Sequence, residues 1–152
     1  MSSKCKRRLT LESMEPRCMM AGAVTAWIDL AGDLQVHGDA ASNQVLIQSA
    51  AAGTYQVTGL YGTTGSYTLS PSGGDVHIHM GDGNDQVFID NVNTGDNLNI
   101  QTGKDHDVVD IRRSNLTGTT KVDTGPGDAA PDTVDIQNSN LMNLAIRTFA
   151  EN

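Results

Sequence analysis

Rings are scarce in this chain: one Trp, three Tyr and two Phe among 152 residues. Six aromatic residues are too few to line a sugar cleft. Glutamate is nearly missing too, with only Glu12, Glu15 and Glu151 among 18 acidic residues. A chain poor in glutamate and rich in turn-formers does not read as a helical bundle. No run of 18 apolar residues occurs, which excludes a membrane-spanning helix. Ten Lys and Arg leave a net charge of −8, which argues against non-specific nucleic-acid binding and docking on anionic lipid. Neither Gly-x-Ser-x-Gly nor His-Glu-x-x-His occurs, so neither a serine-hydrolase elbow nor a zinc-protease helix is present. Cysteine is limited to Cys5 and Cys18.

What is abundant is aspartate, 15 residues, and glycine, 16 residues. Both favour turns, and aspartate is also a short-reach ligand for hard cations. Charge divides the chain. Residues 1–23 hold five cations against two acids, a net of +3, and both cysteines. Residues 24–152 hold five cations against 16 acids, a net of −11. The order in the first segment is a basic cluster (Lys4 to Arg8), a short apolar stretch, and the small residues Ala21-Gly22-Ala23. That is the order of an export signal. The expected organisation is a leader over 1–23, disordered or cleaved, and one domain over 24–152. Removal of the leader would leave no disulfide in the body, so other devices must hold it together.

The leader residues Leu11, Glu12, Glu15, Pro16 and Arg17 resemble the LEPR-type N-terminal motif of planctomycete surface proteins, with Met14 where leucine is usual. The resemblance implies a secreted or cell-surface destination.

The body repeats. Val76-His77-Ile78-His79-Met80-Gly81-Asp82-Gly83-Asn84-Asp85-Gln86-Val87-Phe88-Ile89 shares its frame with Leu98 to Ile111. Lys121 to Ile136 follows it with three inserted residues, and Leu34 to Ile47 is a weaker copy. The common rule is apolar-x-apolar, a Gly turn, Asp, x, Val, x, Ile. Alternation places the valines and isoleucines on one face of each strand. Ile89, Ile111 and Ile136 recur at a period of 22–25 residues, and Asn93, Asn115 and Asn140 each follow four residues later. Two strands and two kinds of turn per period predict an all-β fold. The form expected is a parallel β-solenoid (β-helix or β-roll) of about five to six coils, roughly 22 residues per coil. A β-sandwich is the alternative. In the stacked form the asparagines share one column, bond from coil to coil and tolerate left-handed turns. Residues 59–74 obey the repeat worst and are expected to be longer turns.

The acidic turns are the candidate site. Gly81-Asp82-Gly83-Asn84-Asp85-Gln86-Val87 resembles the core of the haemolysin-type (RTX) calcium repeat, GGxGxDxUx. The turn from Gly103 fits with Asp105 in place of a glycine, and the turn from Gly125 fits apart from its insertion. The resemblance implies Ca²⁺ held between stacked turns. Asp85, Asp107 and Asp132 are the first expected ligands, and Asp82, Asp105 and Asp128 the next. His77 and His79 point out on one strand face, and no third ligand for a transition metal is evident. Asp107, Asp110 and Arg112 could mimic a polysaccharide-lyase site, yet Asp110 and Arg112 also make a plain ion pair. The expected function is therefore not enzymatic. It is an exported structural repeat module, stabilised by calcium in its Gly-Asp turns. The alternative is a glycan-binding or adhesive module, and a β-helix polysaccharide-active enzyme comes last. Expected partners are calcium, surface polysaccharide, or another solenoid chain at an open C-terminal edge.

Overall fold

The computed structural model describes residues 22–51, 53–72, 74–126 and 131–148. The expected leader lies almost wholly outside them, as does Asp128.

Thirteen strands form among the described residues. Alternation drives them: in β6 (Val76–Asp82) the side chains of Val76, Ile78 and Met80 are buried while His77 and His79 are not. The first sheet runs β1 (Thr25–Ile28), β2 (Leu34–His37), β6, β9 (Leu98–Lys104), β11 (Asn115–Asp123) and β13 (Asn140–Arg147). A two-residue strand, β8 (Asn93–Thr94), also pairs with β11. The second runs β12 (Thr133–Gln137), β10 (Val108–Arg112), β7 (Gln86–Asp90), β3 (Gln44–Ala51), β4 (Thr54–Gly59) and β5 (Ser66–Leu69). Their inward faces share one apolar core. Leu34, Val36, Ile78 and Ile100 come from the first sheet, and Val45, Ile47, Val87, Ile89 and Ile111 from the second.

The all-β expectation holds, but a parallel β-solenoid of five to six coils does not form. Both sheets are mixed. β1 pairs antiparallel with β2, β3 with β4, and β4 with β5. The reason is connection length. Only residues 52–53 separate β3 from β4, and such a link can join antiparallel strands only. A five-residue turn links β1 to β2, where Asp29 Oδ1 accepts the Ala31 and Asp33 N–H groups. Residues 59–74 are likewise not simply longer turns. They contain β5 and a tight turn at Leu60–Thr63, closed by the Thr63 N–H on the Leu60 carbonyl at 2.9 Å.

Elsewhere the pairing is parallel, and the sequence period appears as register. Ile78 lies opposite Ile100, Ile100 opposite Val122, Val87 opposite Val109, and Val109 opposite Val134. Burial thins at the C-terminal edge: Leu144 and Ile146 of β13 are 45% and 42% exposed. No described helix is long and apolar enough to cross a membrane.

Candidate functional site

The Gly-Asp turns begin in the last residues of β6 and β9 and just after β11, and they stack on one another. Gly81, Gly103 and Gly125 all have positive φ, at 105°, 109° and 77°. The backbones approach so closely that a Cβ on Gly103 would lie 1.6 Å from the Gly81 carbonyl oxygen, and one on Gly125 1.6 Å from that of Gly103. Asp105 follows the paired Asp82 and Lys104 as Gly83 does, and both have positive φ, 80° and 113°. Aspartate is one of the few residues that tolerate it.

The expected calcium ligands divide into two sets. Asp85 and Asp107 are fully buried and Asp132 is half-buried. Each turns a carboxylate oxygen onto a backbone N–H of the preceding turn. Asp85 Oδ1 accepts from Asn43 at 2.7 Å, Asp107 Oδ1 from Asp85 at 2.9 Å, and Asp132 Oδ1 from Asp107 at 3.0 Å. The result is an internal column of acceptors tying four turns together. Burial raises the Asp85 carboxyl to about 7, opposed by the Asn43 N–H and reinforced by the nearby Asp107 charge. Asp85 Oδ2 is buried with no hydrogen-bond partner, consistent with a carboxyl that resists ionisation. In each of the three, Oδ1 is taken by a backbone donor, and Oδ2 of Asp132, like that of Asp85, is buried without a hydrogen-bond partner.

Asp82 and Asp105 are exposed. Asp82 pairs with Lys104 at 3.2 Å, and Asp105 Oδ2 accepts the Gly83 N–H at 3.1 Å. Asp128 lies outside the described residues. Among those described, no group of three or more His, Cys, Asp or Glu side chains converges to hold a metal ion.

The opposite turns carry two further columns. Asn115 Nδ2 donates to Asn93 Oδ1 at 3.1 Å, and Asn140 Nδ2 to Asn115 Oδ1 at 2.9 Å, the ladder expected from the spacing. The left-handed positions are not these asparagines but Asn91, Arg113 and Asn138, each two residues earlier. Beside them Ser114 Oγ accepts the Val92 N–H at 3.1 Å, and Ser139 Oγ the Ser114 N–H at 3.0 Å. Both serine hydroxyls also bond the carbonyl two residues back, Ser114 to Arg112 and Ser139 to Gln137.

His77 and His79 lie on the outer face of the first sheet. The His77 Nε2 is 3.7 Å from Asp33 Oδ2. Trp27, His37 and His79 form a row, with ring centroids 4.7 Å and 5.1 Å apart. Burial, then the neighbouring His79, lowers the His37 pKa.

The lyase-like grouping does not assemble. Asp107 is held inside the turn column. Asp110 takes both Arg112 contacts, Nε at 2.7 Å and Nη2, which raises the Arg112 pKa. On the second sheet's outer face these residues border a groove of about 230 Å³ that sequence reasoning missed. Half-buried Leu46, Phe88 and Leu60 line it together with exposed Tyr61. Phe88 and Leu46 occupy the outward positions of the Val-x-Ile strands. Nothing in the repeat itself signalled that Tyr61, 27 residues before Phe88, would join them. Comparison with protein-family models, with curated proteins and with solved structures finds no match to this chain.

Proposed function

We propose that this chain is an exported, non-catalytic structural module of the cell surface or extracellular space. The observation that carries this reading is the column Asn43–Asp85–Asp107–Asp132. Residues with the chemistry to act as acids, bases or ligands serve there as acceptors that fasten one turn to the next. The asparagine and serine columns do the same on the other side. A small body without cysteines needs such devices, since a thin core alone leaves little net stability. The leader motif supplies the destination.

Calcium enters this reading as a counter-ion on the outside of the acidic turns, at Asp82 and Asp105, rather than as a scaffold within them. Charge neutralisation there offsets the repulsion of a body carrying −11. The test is thermal melting of the full chain in EDTA and in millimolar Ca²⁺, followed by circular dichroism. A folded β protein in EDTA with a melting point a few degrees higher in Ca²⁺ is expected. A chain unfolded in EDTA would return the metal to the turn interior, and an unchanged melting point would remove calcium from the reading. Fractionation of the source cells tests export, and recovery of the protein from the cytosol would defeat that part.

A further inference from the structure

The groove on the second sheet is built from residues that the turn columns do not use. Its apolar floor is Leu46 and Phe88, outward-facing neighbours on β3 and β7. Tyr61 stands at its rim, 85% exposed. This ring is held out at a conformational cost. Tyr61 has φ 49° and Gly62 has φ 100°, so both central residues of the Leu60–Thr63 turn are left-handed, the type I′ signature. Asn, Asp and Gly suit those positions, whereas a bulky side chain there is an outlier. The turn is also anchored on both sides. The Leu60 N–H donates to the Gln44 carbonyl at 2.7 Å, and the Gln44 N–H to Thr63 Oγ1 at 2.9 Å. A strained, exposed ring on an anchored turn points to function rather than to packing.

The polar wall is equally specific. Asp110, only 5% exposed, is gripped by Arg112 through Nε and Nη2. Asp90 is gripped by Arg113 in the same two-pronged way, through Nε at 2.9 Å and through Nη2. Each charge therefore has an opposite charge beside it, and these four groups sum to zero. Each guanidinium has five N–H donors, so donors remain beyond those facing the carboxylates. A neutral wall of paired donors and acceptors does not select an ion. It matches hydroxyl groups, each of which can donate to a carboxylate and accept from a guanidinium. The rings and the leucine floor match the C–H face of a sugar. The volume, below the ~300 Å³ lower end of drug-sized ligand pockets, suits a single ring of a chain that continues into solvent.

We propose that this groove binds a neutral saccharide, with one hexose ring seated against Tyr61 and Phe88 and its hydroxyls bridging the Arg112–Asp110 and Arg113–Asp90 pairs. The scarcity of aromatics in the sequence is no obstacle, because the fold brings two of the few rings to one place.

The test is isothermal titration of the full chain with cellohexaose, chitohexaose and mannohexaose, and with hexagalacturonate as the acidic counterpart. Saturable binding of at least one neutral hexasaccharide is expected, with none of hexagalacturonate. Tyr61→Asn removes the ring while suiting the left-handed turn, so it should melt no lower than the wild type yet bind ~3- to 10-fold more weakly. Tyr61→Phe keeps the ring and should keep the affinity. No binding of any neutral hexasaccharide, a preference for hexagalacturonate, or unchanged affinity in Tyr61→Asn would overturn the proposal. The outcome is independent of the EDTA melting result, so this site and the structural role can fail separately.

Discussion

The backbone N–H of Asp85 donates to Oδ1 of Asp107 at 2.9 Å, across two successive turns whose aspartates are both fully buried. This bond makes an acidic residue a structural part. Truncating Asp107 to Ala strands the Asp85 N–H in a dry interior and should cost ~1–3 kcal/mol. Asp107→Asn keeps an oxygen acceptor there and removes a charge, so it should cost less than the alanine variant. Urea unfolding of the two variants checks this order, and an alanine variant as stable as the asparagine one would refute it.

Stability should fall as pH rises from the acid range toward neutrality. The folded Asp85 carboxyl titrates at about 7, against ~3.9 in an unfolded chain. Below the unfolded value both states are protonated, and the contribution is fully present. Between the two values the unfolded state loses its proton while the folded state keeps it, so stability declines. Above about 7 the loss is complete. The urea midpoint should therefore drop from pH 5 to pH 8, and Asp85→Asn should flatten that drop. An equal drop in the variant would place the effect elsewhere.

Two glycines with positive φ separate steric overlap from backbone preference. Gly103→Ala sets a Cβ 1.6 Å from the Gly81 carbonyl oxygen, so the stacked turns must move apart. Gly53→Ala, at φ 69°, meets nothing within 4 Å. The second change should cost only the left-handed penalty of ~1–2 kcal/mol. The first should cost clearly more, and chemical denaturation of the pair measures the difference.

Asn115 sits in the middle of its column, donating to Asn93 and accepting from Asn140. Asn115→Ala removes both bonds, while Asn93→Ala removes one. At ~0.5–1.5 kcal/mol per bond, the central variant should be the less stable of the two. Equal melting points would mean that the exposed ladder contributes nothing.

The columns show which parts of the site were legible in the sequence. Asn93, Asn115 and Asn140 recur with the period, and a period in sequence becomes a column wherever strands pair in register. The left-handed role could not be assigned so readily. It falls on Asn91, Arg113 and Asn138, and a mixed set with an arginine carries no signature. The aspartates were found but their direction was not. Spacing puts Asp85, Asp107 and Asp132 at one edge of the stack, and a carboxylate there can face a cation or a backbone N–H equally well. In the fold, Oδ1 of each accepts a backbone N–H of the preceding turn.

Alternation and period, read from the chain alone, determined an all-β protein with a 22-residue frame, since side-chain direction in a strand follows from local geometry. Strand direction at the N-terminal end was another matter. Two residues between β3 and β4 leave room only for a hairpin, which makes the second sheet mixed, and the five-residue turn between β1 and β2 does the same for the first. The groove also belongs to tertiary structure. Tyr61 and Phe88 are distant in sequence and share no repeat position. They meet because the Leu60–Thr63 turn is anchored to Gln44 at the start of β3, the strand that pairs with β7.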